Sequence, residues 1–152
     1  MPAHDLVGAR VRGSRFTLNQ QRRTLVIAAR LLIVIVGILL PYAARLPRGT
    51  EWVGQYTGNG LNGFLMLEAF NAIAWGGLLG LTFLIRRPTA MLAPCLLGFG
   101  FLAWSHATLD LASDAQAGIG LVLIPIYALV PIAIGGVIGL VLDHRLDGKG
   151  VT

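Results

Sequence analysis

The sequence predicts an all-α integral membrane protein, a bundle of four transmembrane helices with both termini in the cytoplasm. Hydrophobic residues make up 55% of its 152 residues and charged residues only 12%, and the mean hydropathy is +0.73. Soluble domains carry roughly 25% charged residues. Because a helix needs about 20 residues to cross a bilayer, the apolar runs supply four crossings and leave no length for a separate soluble domain.

Three regions follow from this pattern: a basic cytoplasmic N-terminal arm (1–23), a four-helix transmembrane domain (24–142) and a short cytoplasmic tail (143–152). The arm lacks a clean apolar stripe, so we expect it to lie partly ordered along anionic headgroups. It is too long for the start of a cleaved signal peptide, and no A-x-A pattern follows the first apolar core. We therefore expect the first apolar run to remain as an anchor.

The first crossing is predicted from about Leu25 to Ala44. Arg30 falls inside it near the inner edge, where its long side chain can extend to the cytoplasmic headgroups. The loop from Arg45 to Asn62 is rich in glycine and asparagine and contains Trp52, which suits a membrane interface. We interpret this loop as a connector; a lid over a site is the alternative.

The second and third crossings are the apolar runs Gly63–Ile85 and Thr89–Leu111. The short Arg86-Arg87-Pro88 segment joins them, so they are expected to run antiparallel. Glu68 and His106 each lie five residues from the far end of their run. We therefore predict that they face each other at the same depth.

Glu68, His106, Asp110 and Asn71 form the candidate polar or ion site. A carboxylate in lipid usually pairs, takes up a proton or lines a hydrated cavity. Pairing with His106 would lower its cost, and Asp110, one turn further on, is placed to orient the imidazole. Such a group moves protons, holds a cation or binds a polar headgroup. The alternative is a structural hydrogen-bonded pair that fixes the register of the two helices.

The fourth crossing is predicted from about Ile119 to Leu142, with kinks at Pro125 and Pro131. Ser113 and Asp114 fit the cap of this helix. Small residues at four-residue intervals allow helices to approach closely in lipid. The predicted helix-packing residues are Ala72, Gly76, Gly80, Gly135 and Gly139.

The topology follows from the basic residues, because cytoplasmic segments carry an excess of lysine and arginine. Only Arg45 and Arg48 fall on the outer side, so we predict an integral plasma membrane protein, in a bacterial inner membrane, with the polar site near the outer face. The net charge of +5 is better explained by lipid headgroups than by nucleic acid. The predicted headgroup contacts are Arg22, Arg23, Arg86 and Arg87.

No motif indicates a cofactor or an enzymatic activity. Glu68, His106 and Asp110 offer suitable metal ligands, but no HxxxH, HExxH or CxxC spacing supports a metal site. His106 is the only histidine predicted within the bilayer, which excludes bis-histidine haem within one chain. Cys95 lies in an apolar run and is interpreted as a small buried hydrophobe.

Two functions remain. The favoured one is a non-enzymatic accessory or scaffold subunit that packs in the lipid bilayer against other membrane-protein subunits or against itself. Small size and the glycine-lined faces of the second and fourth crossings support it. The alternative is a small transporter, or a proton- or cation-coupled carrier, with an outward-facing site at Glu68, His106 and Asp110.

Overall fold

The structure, a computed structural model, describes the backbone of residues 3–113 and 116–148, and the side chains of residues 20–146 apart from 22, 114 and 115. This part of the chain contains no strand. Its α-helices are α1 (Ala3–Ala43), α2 (Thr50–Thr57), α3 (Gly60–Leu84), α4 (Leu92–Thr108) and α5 (Ala117–Gly148), with short 3-10 helices at Leu46–Arg48 and Pro88–Met91.

Four of these helices are long and apolar enough to cross a membrane, which confirms the predicted all-α membrane fold. The candidate spans are Arg23–Arg48, Gly60–Leu84, Pro88–Thr108 and Ala117–Leu146. The short helix α2 was not predicted and lies within the expected loop. The backbone of α1 is already helical from Ala3, and α5 remains a single helix through both of its prolines.

The outer surface of the bundle is apolar. Leu96, Trp104 and Val130 expose 71%, 66% and 61% of their area, and many other large hydrophobic side chains are similarly open. The interior contains smaller apolar residues such as Ala74 and Ala128, neither of which is exposed. Continuous exposure of large apolar side chains is suited to acyl chains rather than to water.

The helices form a ring in the order α1, α3, α5, α4. The most extensive contacts join α4 to α5, α3 to α5 and α1 to α3, whereas α3 and α4 touch little despite being consecutive. They therefore lie diagonally across the bundle rather than as a packed hairpin. Arg30 bonds to Thr82 at one end of the bundle, and Asn71 bonds to His106 near the other.

Glycines allow α5 to lie between α3 and α4. A Cβ added at Gly135 would stand 2.4 Å from Cα of Pro94, and one added at Gly139 would stand 2.6 Å from the carbonyl oxygen of Ala90. Only hydrogen fits in that space. These glycines thus set the approach of α5 to the start of α4 within this chain.

Asp143 closes the end of the bundle that carries the α3–α4 connection, which we call the turn end. Its carboxylate is 5% exposed and accepts the backbone N–H groups of Arg86 at 3.0 Å and of Arg87 at 3.1 Å. Charge-assisted bonds of this type satisfy amide groups that no helix serves. Asp143 was not among the predicted site residues.

We expect Gly135→Ala to lower the free energy of unfolding by about 2 kcal/mol, because the new methyl group meets backbone that cannot rotate away. Gly76→Ala is the matched control, since nothing lies within 4 Å of a Cβ at Gly76, and it should be neutral or slightly stabilising. Equilibrium unfolding in mixed micelles measures both. Equal stability of the two variants would contradict the close approach of α5 to α4.

Candidate functional site

Arg45 lies at the centre of a buried polar network at the end of the bundle that carries α2, which we call the α2 end. Its side chain is completely buried. Nε donates to the carbonyl of Trp52 at 2.7 Å, and Nη1 donates to the carbonyls of His106 at 3.0 Å and Leu109 at 2.8 Å. Nη2 donates to Oε1 of Gln55. The guanidinium thus fastens α1 to α2 and to the end of α4.

The position of Arg45 follows from the local chain. Helix α1 ends at Ala43, and the following 3-10 helix Leu46–Arg48 turns the chain into α2. Two aromatic rings of α2 then enclose the guanidinium, Tyr56 at 3.9 Å and Trp52 at 4.9 Å from ring centroid to Cζ. The last carbonyls of α4 carry partial negative charge and lack helical donors. A buried cation at this place is therefore compensated by backbone dipoles and π-faces.

His106 is completely buried between two partners. Its Nε2 lies 3.2 Å from Oδ1 of Asn71, and its Nδ1 lies 2.9 Å from the hydroxyl of Tyr56. Because the amide oxygen only accepts, this network assigns the proton of the neutral ring to Nε2, and the Tyr56 hydroxyl donates to Nδ1. Burial raises the pKa of Tyr56 to about 12, although the Arg45 guanidinium acts in the opposite direction. The phenol therefore keeps its proton to donate.

Asp110 belongs to the Arg45 network rather than to the imidazole. Its Oδ1 accepts from Nε2 of Gln55 at 2.9 Å and from the backbone N–H of Ala112 at 3.0 Å. Gln55 in turn accepts from Arg45 and from the backbone N–H of Leu111. The Gln55 amide thus links the carboxylate to the guanidinium, and the predicted role of Asp110 in orienting His106 is not observed.

Glu68 makes no hydrogen bond with His106. Both carboxyl oxygens are buried, and neither has a hydrogen-bond partner in the described part of the chain. Asn71, one turn away on the same helix, takes the position opposite His106 that was predicted for Glu68. The predicted pairing of Glu68 with the imidazole is therefore absent.

Among the described residues, four buried polar groups on α1 and α3 have no hydrogen-bond partner, and we call them the α1–α3 polar cluster. They are the Tyr42 hydroxyl, the Glu68 carboxyl group, Nδ2 of Asn71 and Nε1 of Trp75. The three residues of α3 follow each other at intervals of three and four positions, which places them along one side of the helix. The Tyr42 hydroxyl lies within electrostatic range of Glu68.

Packing of α1 against α3 positions this cluster. The Tyr42 ring stacks on Phe64, one turn before Glu68, with 6.0 Å between ring centroids. At Gly37 an added Cβ would stand 2.6 Å from the Trp75 side chain, so the missing side chain makes room for the indole. Pro41, which is buried on α1, has no backbone N–H, so the carbonyl of Gly37 does not accept its usual helical hydrogen bond. The interface therefore combines close packing with several unpaired polar groups.

Glu68, His106 and Asp110, the three side chains that the sequence offers as possible metal ligands, do not come together in the structure. Among the described residues, no three histidine, cysteine or acidic side chains come together. Cys95 is a free, partly buried thiol. The unpaired atoms of the α1–α3 polar cluster are mainly N–H and O–H donors around one carboxyl group, which does not suit a metal ion.

The predicted packing and headgroup residues have different environments. Gly135 and Gly139 contact α4, whereas added Cβ atoms at Gly76 and Gly80 meet nothing within 4 Å, and Ala72 is partly buried on the same side of α3. Arg23 is exposed, Arg86 and Arg87 lie at the turn end, and the side chain of Arg22 lies outside the described residues, as does the predicted helix cap at Asp114.

Sequence reasoning missed Arg45, Gln55, Tyr56 and Tyr42. Tyr56 and Trp52 share a side of α2 at a four-residue spacing, so both rings turn toward Arg45. An arginine directly after a long apolar run and followed by such aromatic spacing is a signal that can identify a buried cation.

No protein-family profile, curated protein or solved structure matches this chain.

We expect Arg45→Lys to lower the free energy of unfolding by about 3 kcal/mol, because an ammonium group cannot replace the planar fork that reaches α2 and α4 together. Arg48→Gln is the control: Arg48 is exposed, lies over Trp52, and should change stability by at most about 0.5 kcal/mol. Unfolding in mixed micelles provides the measurement. A tolerated lysine at position 45 would show that the network is not required for folding.

Proposed function

We propose that the protein is a small proton-coupled carrier of the membrane in which Glu68 takes up and releases the proton. The observation that supports it is the α1–α3 polar cluster, where a buried carboxyl group and three other buried polar groups have no hydrogen-bond partner within the described part of the chain. Intramembrane carboxylates cost several kcal/mol and commonly mark ion or proton pathways. A structural acid would be expected to have its hydrogen-bond partners.

The neighbouring network supports this proposal by fixing the geometry of the cluster. Nε2 of His106 donates a hydrogen bond to Oδ1 of Asn71, and the Tyr56 hydroxyl donates one to Nδ1 of His106. The Asn71 amide is thereby kept from rotating, and its unpaired Nδ2 remains on the side of the cluster. Asn71 and His106 are positioning residues in this mechanism, whereas Glu68 carries the exchangeable proton.

In the sequence, basic residues are more numerous before the first span and at the α3–α4 connection than between the first two spans, where Arg45 and Arg48 lie, and this distribution favours cytoplasmic termini. In that orientation the α2 end faces outward. Glu68 lies nearer to this end than to the turn end, since it follows the start of α3 by two turns. Protons would thus enter from the outer side.

We expect Glu68→Gln to reduce proton flux to that of protein-free liposomes, because glutamine keeps the shape but cannot exchange a proton. Purified protein in liposomes containing a pH-sensitive dye, driven by a potassium diffusion potential, measures the flux. Glu51→Gln is the matched control, because Glu51 is an exposed carboxylate on α2.

Infrared difference spectroscopy across a pH jump adds a readout that does not depend on turnover. Wild-type protein should show a carboxyl band that is absent in Glu68→Gln and present in Glu51→Gln. Unchanged flux and an unchanged spectrum in Glu68→Gln would refute the carrier.

A second candidate, the accessory subunit, is favoured by the outer side of α3. Small residues at Ala72, Gly76 and Gly80 follow a four-residue spacing, and nothing lies within 4 Å of a Cβ built at either glycine. In lipid such a stripe suits the close approach of another transmembrane helix, from a partner subunit or a second copy. Gly139 does not test this idea, because a side chain there would collide inside the chain.

If the protein is such a subunit, Gly76→Leu should abolish its recovery in a larger complex from native membranes in mild detergent. Gly100→Leu is the control, since Gly100 is an exposed glycine of α4 with equal space around it. Size determination of the purified complexes separates the outcomes. Recovery of Gly76→Leu in the wild-type complex would exclude this face as the contact, and a wild-type monomer would exclude assembly.

A further inference from the structure

A cleft between α1 and α3 opens at the turn end of the bundle, and we call it the arginine cleft. Its volume is about 1170 Å³. Among the residues whose side chains the structure describes, no acidic residue lines the cleft, and three of the lining residues are arginines. The lining residues used below are Arg23, Val26, Ile27, Arg30, Thr82 and Phe83.

Arg30 is held in this cleft in a fixed orientation. Its Nε donates to Oγ1 of Thr82 at 3.0 Å, and its Cζ lies 4.0 Å from the ring centroid of Phe83. The Thr82 hydroxyl donates to the carbonyl of Leu79 at 2.7 Å, so its lone pairs remain directed at Arg30. The Nη groups have no acceptor in the described part of the chain. They present paired donors of the geometry that phosphate oxygens accept.

The cleft lies at the edge of the membrane-spanning region. The first candidate span begins at Arg23, and α3 ends at Leu84. Helical side chains lean toward the N-terminus of their helix, so Arg30 extends toward Arg23 and the membrane boundary. Val26 and Ile27, which lie between Arg23 and Arg30 on α1, and Phe83, near the end of α3, supply an apolar wall of the cleft.

From this geometry we infer that the arginine cleft binds one anionic phospholipid, with its phosphate on Arg30 and an acyl chain along Val26, Ile27 and Phe83. The absence of acidic lining residues complements the phosphate charge. The apolar wall, which a free phosphate would not use, favours the lipid. This lipid site is distinct from the α1–α3 polar cluster, and its test does not depend on proton flux.

Native mass spectrometry of the protein in detergent with equal amounts of phosphatidylglycerol and phosphatidylcholine tests the site. Wild-type protein should retain one phosphatidylglycerol molecule in preference to phosphatidylcholine. Arg30→Gln should weaken that retention about tenfold, and Thr82→Val, which keeps the charge but releases the guanidinium, should weaken it less. Arg145→Gln removes an exposed charge near the end of α5, outside the cleft, and should leave retention unchanged.

Inorganic phosphate distinguishes the two sources of the ligand. If the lipid is the ligand, millimolar phosphate should not displace it, and thermal stability should rise with added phosphatidylglycerol but not with phosphate. Displacement by phosphate alone would overturn the lipid assignment. Equal retention by wild type and Arg30→Gln, or equal loss in Arg30→Gln and Arg145→Gln, would overturn the site.

Discussion

The buried guanidinium of Arg45 is the interaction on which one end of this bundle depends. A cation in a membrane protein is expensive to bury unless every donor is used. Here the donors reach the carbonyls of Trp52, His106 and Leu109 and the side-chain oxygen of Gln55, and two aromatic rings lie against the guanidinium. The same bonds hold α2 over the end of α4. Removal of this one side chain would leave helix-terminal carbonyls without partners in an apolar setting.

Because α2 is held in this way, His106 is completely buried and both of its ring nitrogens have partners. The Tyr56 hydroxyl, on α2, donates a hydrogen bond to Nδ1 of the imidazole, and Oδ1 of Asn71 accepts one from Nε2. The network around His106 is therefore structural and nearly satisfied, whereas the neighbouring cluster around Glu68 is not. Because of this contrast, we assign a structural role to the His106 network and the proposed proton transfer to the cluster around Glu68.

Hydropathy was sufficient to predict the four crossings, since spanning a bilayer requires long apolar runs whatever their neighbours. It did not predict which polar side chains meet. Glu68 and Asn71 differ by only about 60° around a helix, so a small rotation of α3 decides which of them reaches His106. Likewise, the spacing of Gly76 and Gly80 resembles that of Gly135 and Gly139, but only the second pair is covered. The sequence places Arg45 in an outer loop, because its burial depends on the packing of α2 over it, a tertiary contact that the local sequence does not show.

The carboxylate of Asp143 has a consequence for the order in which the chain assembles. It accepts hydrogen bonds from the backbone N–H groups of Arg86 and Arg87, which lie at the connection between α3 and α4, more than 50 positions earlier in the chain. During synthesis, that connection emerges long before its acceptor does. Since α3 and α4 also have few contacts with each other, these two helices have little to hold them together until the last segment inserts between them. Insertion of α5 is therefore the step that completes the bundle. Chains truncated before α5 would leave α3 and α4 loosely packed and would be substrates for membrane proteases.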